Sequence, residues 1–154
     1  MNVERDYEEL LRLLNENKVQ YCVVGAFSVA FYSRPRFSKD IDLLVKPTLE
    51  NGKKIINALK EFGFGSLKLS AEDFIRKDAI IQLGYEPVRI DLMTSIEGCT
   101  FKEVWKTKKR GVYGRQKVFF IGLKELIKNK RVSARLQDKA DLKLLLSSGK
   151  SKKK

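Results

Sequence analysis

The segment Asp40-Ile41-Asp42-Leu43-Leu44-Val45 constrains this chain more than any other. Side chains alternate faces along an extended strand, so Asp40 and Asp42 share one face while Ile41, Leu43 and Val45 take the other. The apolar face demands a core. Two carboxylates a few ångströms apart on the opposite face are costly to bury unless a cation neutralises them. A divalent metal site is the simplest arrangement that satisfies both faces.

Composition narrows the chemistry around that strand. The chain has 154 residues, 43% of them hydrophobic, enough for one sizeable core. It has no histidine, which removes His-based nucleophilic triads, His-ligated zinc and histidine general bases. Carboxylates, Lys, Arg, Tyr and Ser must carry any reaction. The two thiols, Cys22 and Cys99, have no CxxC spacing, so neither a disulfide framework nor a zinc cluster is expected, and Cys22 reads as a packed small hydrophobe. No stretch approaches the roughly 18–20 apolar residues of a membrane helix, and the first residues lack a signal-peptide pattern. A cytoplasmic protein without membrane partners is expected. Charged residues make up 33% of the chain, a weak compositional sign of a heat-tolerant source.

Charge is distributed unevenly. Residues 1–100 carry 14 Lys and Arg against 15 Asp and Glu, net −1, whereas residues 101–154 carry 18 against 4, net +14. A basic surface beside an acidic metal site suits a polyanion such as a triphosphate or RNA.

Hydrophobic periodicity predicts an amphipathic helix over 3–16, a buried strand over 19–24, a short helix over 26–32 and the acidic strand 40–45. Thr48 caps a further helix whose stripe is Ile55, Ile56, Leu59 and Phe62, ended by Gly63 and Gly65. One or two helical turns at 71–75 precede strands 79–83 and 87–93, joined as a hairpin. A helix over 101–106, a last strand over 117–121 and two basic helices over 123–130 and 134–146 follow. Trp105 and the Phe119-Phe120 pair read as core. The fold class is α+β, a mixed β-sheet covered by helices, with C-terminal helices. One domain over 1–146 is expected, with a core at about 19–121, C-terminal helices at about 123–146 and a disordered basic tail at 147–154.

Within Val88-Arg89-Ile90-Asp91-Leu92-Met93, Asp91 lies on the face opposite Val88, Ile90 and Leu92. If this strand pairs with 40–45, three carboxylates converge, an oxygen-rich set suited to Mg²⁺. Arg89 is a nearby partner for Asp91's charge. Gly25-Ala26 ends a strand and opens a helix, where a glycine lets a phosphate approach the backbone and the helix N-terminus offers free N–H groups. Ser28, in that first turn, adds a hydroxyl. Lys130 and Arg131 read as polyanion contacts or as cations at a helix C-terminus, and Asp138 and Asp141 as local helix pairs with basic neighbours.

Gly25-Ala26, thirteen residues and then Asp40-Ile41-Asp42-Leu43 resemble the signature of the DNA polymerase beta-like nucleotidyltransferase superfamily. Arg36-Phe37-Ser38-Lys39-Asp40-Ile41-Asp42 is similar to the corresponding segment of its small toxin- and antitoxin-type members. Asn129-Lys130-Arg131, with Asp138 and Asp141 beyond, is similar to their C-terminal pattern. The resemblance implies that Asp40, Asp42 and Asp91 are catalytic and hold metal, two Mg²⁺ ions with Mn²⁺ as a substitute. Gly25, Ala26, Ser28, Arg36, Ser38 and Lys39 would bind nucleotide. It implies NMP transfer from an NTP to a hydroxyl of RNA, tRNA especially, or of a protein such as a toxin–antitoxin partner, with pyrophosphate released. Ala26 departs from the usual Gly or Ser: the N–H remains and a hydroxyl is lost. The alternative is a catalytically degenerate module of this fold that binds RNA or a partner protein.

Overall fold

A computed structural model describes residues 4–33, 40–65, 67–85, 88–133 and 135–152. Among them are six α-helices: α1 Arg5–Glu16, α2 Gly25–Tyr32, α3 Leu49–Leu59, α4 Phe101–Thr107, α5 Leu123–Val132 and α6 Leu136–Lys152. The strands are β1 Tyr21–Val24, β2 Asp40–Val45, β3 Ile80–Tyr85, β4 Val88–Met93, β5 Lys109–Tyr113 and β6 Gln116–Phe120. They form one mixed sheet in the order β3-β4-β2-β1-β6-β5. β2 and β4 run parallel with Asp42 opposite Asp91, and β1 runs antiparallel to β2 with Val24 opposite Asp42.

Alternation divides the sheet into two apolar faces. Tyr21, Val23, Ile41, Leu43, Ile90, Leu92, Val118 and Phe120 pack with Leu10, Leu11 and Leu14 of α1 and Ile55 and Leu59 of α3. Cys22, Val24, Leu44 and Ile121 face Val29 of α2, Val104 of α4, Leu126 of α5 and Leu145 of α6. The second layer stops short at the first residues of β2, where Asp40, Asp42 and Asp91 occupy the positions that apolar side chains hold further along. A core on one face and carboxylates on the other is the arrangement the alternation predicts.

Local chemistry fixes the element ends. Thr48 caps α3 by accepting from the Asn51 N–H, and Thr100 and Glu103 form a reciprocal capping box on α4. Asn51, 3% exposed, ties α3 to the strand layer: its side chain accepts from the Gln20 N–H at 2.8 Å and donates to the carbonyls of Gln20 and Lys46, both at 3.0 Å. Beyond α3 the chain continues through a wider π-helical turn, Lys60–Phe64, interrupted within by Gly63 at φ +108°.

Three differences from the sequence expectation stand out. β5 is a strand where the basic run 109–113 predicts none; its exposed Lys109 and Arg110 lie on the sheet edge, paired only with β6. Charged side chains are a usual protection of such an edge. α6 continues to Lys152, past Leu146 where the apolar pattern stops. The third concerns Asp138 and Asp141, which also engage a lysine on another helix. Cys22 is fully buried, and burial pushes its thiol up to about 12, as suits a packed hydrophobe. Phe120 lies in the core, while Trp105 and Phe119 pack edge to face at 5.3 Å.

Candidate active site

The parallel register of β2 and β4 brings Asp40, Asp42 and Asp91 together, with one carboxylate oxygen of each lying within 4.8 Å of the others. Asp91 is 4% exposed. Asp42 is the most perturbed: burial first, then the charges of Asp40 and Asp91, push its carboxyl up to about 7, with Lys130 pulling weakly the other way. Its Oδ1 is buried and has no hydrogen-bond partner among the described residues. An orphaned carboxylate oxygen among two further carboxylates is a donor set that fits a hard divalent cation.

Gly25 makes room for this geometry. It adopts φ +68°, and a Cβ there would stand 2.2 Å from Asp42 Oδ2. Any other residue would push the carboxylate out of the triad, besides straining the backbone. Gly25 also opens α2, whose N-cap residue Val24 offers no side-chain cap, so among the described residues the first amides of that helix lack a capping side chain. Ala26 lines the cleft beside them. Ser28 does not reach it: fully buried, its hydroxyl donates to the Gly25 carbonyl at 2.6 Å and braces the turn from behind. Arg36, Ser38 and Lys39 lie outside the described residues.

Arg89 is held on the same face as Asp91, two residues away. Its guanidinium donates to Asp40 Oδ2 and Asp91 Oδ2, both at 3.2 Å. The Tyr7 hydroxyl in turn accepts from the Arg89 N–H at 3.1 Å and donates to the Arg89 carbonyl at 3.0 Å, pinning this stretch of β4 to α1. The period-2 spacing places Arg89 beside Asp91, but only the strand order puts Asp40 within its reach.

The cleft has a volume of about 600 Å³. Its far wall comes from α5 and α6. Lys130, 6% exposed, donates to Asp138 Oδ1 at 2.7 Å and lies 3.3 Å from Asp141 Oδ2. These contacts join two helices and come in addition to the local Arg135–Asp138 pair at 3.7 Å that the sequence predicts; nothing in a helical pattern reveals that α6 folds back on α5. Burial alone would raise the Asp138 carboxyl, but hydrogen bonds from Lys130 and Ser133 outweigh it and hold it below the ordinary value. Arg131 is exposed and does not line the cleft.

A mixed sheet that carries three converging carboxylates beside a glycine turn is the architecture of nucleotidyltransferases. The chain belongs to the family described as "Nucleotidyl transferase of unknown function (DUF2204)", which matches residues 3–153. Among curated proteins none matches it. In fold it is similar to the lincosamide antibiotic adenylyltransferase LnuA, solved with lincomycin bound, at 19% identity and TM-score 0.59, over 96% of this chain and 99% of that one. A Thermotoga maritima protein that carries a provisional nucleotidyltransferase assignment is 18% identical with TM-score 0.62, over 93% of this chain and 91% of that one. ANT(2")-Ia, solved with adenylyl-2"-tobramycin, is 12% identical with TM-score 0.58, over 96% and 89%.

Proposed function

We propose that this protein transfers an NMP from an NTP to a hydroxyl acceptor with release of pyrophosphate, using Mg²⁺ held by Asp40, Asp42 and Asp91. The single observation that carries the reading is the buried, unpartnered Asp42 oxygen within a three-carboxylate cluster. Bound there, a divalent ion supplies charge neutralisation at the transferring phosphorus and lowers the pKa of the attacking hydroxyl. Two ions, with Mn²⁺ as a substitute, are compatible with three carboxylates.

The chain's own residues do the rest. The amides at Gly25 and Ala26 take the triphosphate, with Ser28 bracing their turn and Arg36, Ser38 and Lys39 assigned to nucleotide on the resemblance alone. Asp91 receives the acceptor's proton as the new bond to the α-phosphorus forms and the bond to the leaving pyrophosphate oxygen breaks. Arg89, bonded to Asp40 and Asp91, holds the two carboxylates in place for an ion they would share with Asp42. Phosphoryl chemistry of this kind asks mainly for positioning and charge neutralisation.

RNA, tRNA especially, or a protein side chain is the proposed acceptor, supported by the exposed lysines and arginines of the last third of the chain. A toxin–antitoxin pairing would supply such a protein acceptor. One observation favours a second reading: beyond the triad the cleft wall carries Asp78 and Glu97, acidic groups that repel an RNA backbone, with the Ser95 hydroxyl bonded to Asp78. That wall suits a small hydroxylated molecule with a cationic group, in keeping with the tobramycin adduct of ANT(2")-Ia.

Incubation of the protein with α-labelled NTPs, Mg²⁺ and, separately, total RNA, lysate protein or tobramycin tests all three. Label should pass to one of them, and Asp42→Ala should abolish transfer. Transfer that survives Asp42→Ala sinks the site assignment, and no transfer to any acceptor favours a non-catalytic module.

A further inference from the structure

Lys130 is unusual among the chain's many cations in being buried. Two buried carboxylates engage it, both from α6: Asp138 Oδ1 at 2.7 Å and Asp141 Oδ2 at 3.3 Å. An ammonium has three donors; one is hydrogen-bonded to Asp138, and Asp141 adds an ion pair. Among the described residues no other acceptor engages this ammonium, and Lys130 lines the same cleft as Gly25, Ala26 and Asp42. A buried cation with a donor to spare on one wall faces a buried carboxylate oxygen with no donor on the other. That pairing accommodates a metal-bound anion.

The two aspartates are themselves secured. Asp138 accepts from the Ser133 hydroxyl at 2.5 Å, and Asp141 accepts from the Gln137 amide at 3.0 Å. Both carboxylates belong to the first turns of α6, so the helix presents a rigid, doubly charged cradle. A lysine on a flexible four-carbon stem would otherwise sample many positions.

We infer that Asp138 and Asp141 are positioning residues, holding the Lys130 ammonium so that its remaining donor meets the pyrophosphate portion of the nucleotide. The inference rests on the nucleotidyltransferase reading and deepens it. It makes α6 part of the nucleotide site, acting through α5.

Calorimetric titration of the full chain with inorganic pyrophosphate, ATP or AMP, each in Mg²⁺, tests it. Asp141→Asn and Lys130→Met should each weaken pyrophosphate and ATP by about tenfold, the loss expected for one charged hydrogen bond, and leave AMP unchanged. The double variant should lose little more than either single one, because both act through the same ammonium. A merely structural role would weaken AMP equally. Full additivity, or pyrophosphate affinity untouched in Lys130→Met, overturns the inference. Should Asp141→Asn fail to fold by circular dichroism, Asp138→Asn at the more accessible carboxylate carries the same expectation. A wild-type protein that binds neither ATP nor pyrophosphate overturns the nucleotidyltransferase reading itself.

Discussion

Asp42 is where the residue scale decides most. Its folded pKa of about 7 lies far above the ordinary 3.8. Between those values the folded state holds a proton that the unfolded state has lost, so this group's contribution is complete below about pH 4 and disappears as pH rises through 7. The groups facing it are Asp40, Asp91 and Lys130. In EDTA the urea midpoint of the wild type should therefore fall from pH 5 to pH 8 relative to that of Asp42→Asn, which has no such proton to lose. Mg²⁺ should restore the difference at pH 8, because a cation favours the ionised form. Parallel pH profiles for the two proteins would contradict the buried, repelled carboxylate. The pair of aspartates was legible from alternation alone, and Gly25 was legible as a strand-to-helix turn. That Gly25 also clears space for Asp42 was not, because the contact joins two strands that only the fold brings together.

At the scale of elements, Asn51 is the joint between α3 and the strand layer. Asn51→Ala would remove three hydrogen bonds and strand the Gln20 and Lys46 backbone groups, at about 3 kcal/mol in chemical denaturation. A loss under about 1 kcal/mol would mean that water replaces the side chain. Helices and buried strands were readable where apolar periodicity is strong, as in α1 with Leu10, Leu11 and Leu14 or β2 with its alternating face. β5 was not, because an edge strand has one partner and its Lys109, Arg110 and exposed Val112 show no core pattern. The bonds from Lys130 to Asp138 and Asp141 escaped for a related reason: helical spacing reports neighbours on one helix and is silent about the next.

Across the whole molecule the net charge of +13 coexists with an acidic cleft. Lysines and arginines of the last third lie mainly outside, on α4, the β5–β6 pair, α5 and α6. An RNA bound there would be held by counterion release, so its affinity should drop at least tenfold between roughly 50 and 200 mM salt, as read by a filter-binding titration. Absence of binding at the lower salt would remove RNA from the acceptors and leave the small-molecule reading ahead.

The parallel register of β2 against β4 has a consequence in time as well as in space. Parallel neighbours cannot be joined by a tight turn, and here α3 and β3 intervene before Asp91 can come to rest beside Asp42. Such distant pairings form slowly relative to local helices. The three like charges thus meet only when β2 and β4 pair, the same step that joins Ile41 and Leu43 to Ile90 and Leu92, and Lys130 gains its cradle only when the last helix docks. A chain in which either contact is unmade has no complete cleft, so the competence of the cleft reports the assembly of both ends of the chain.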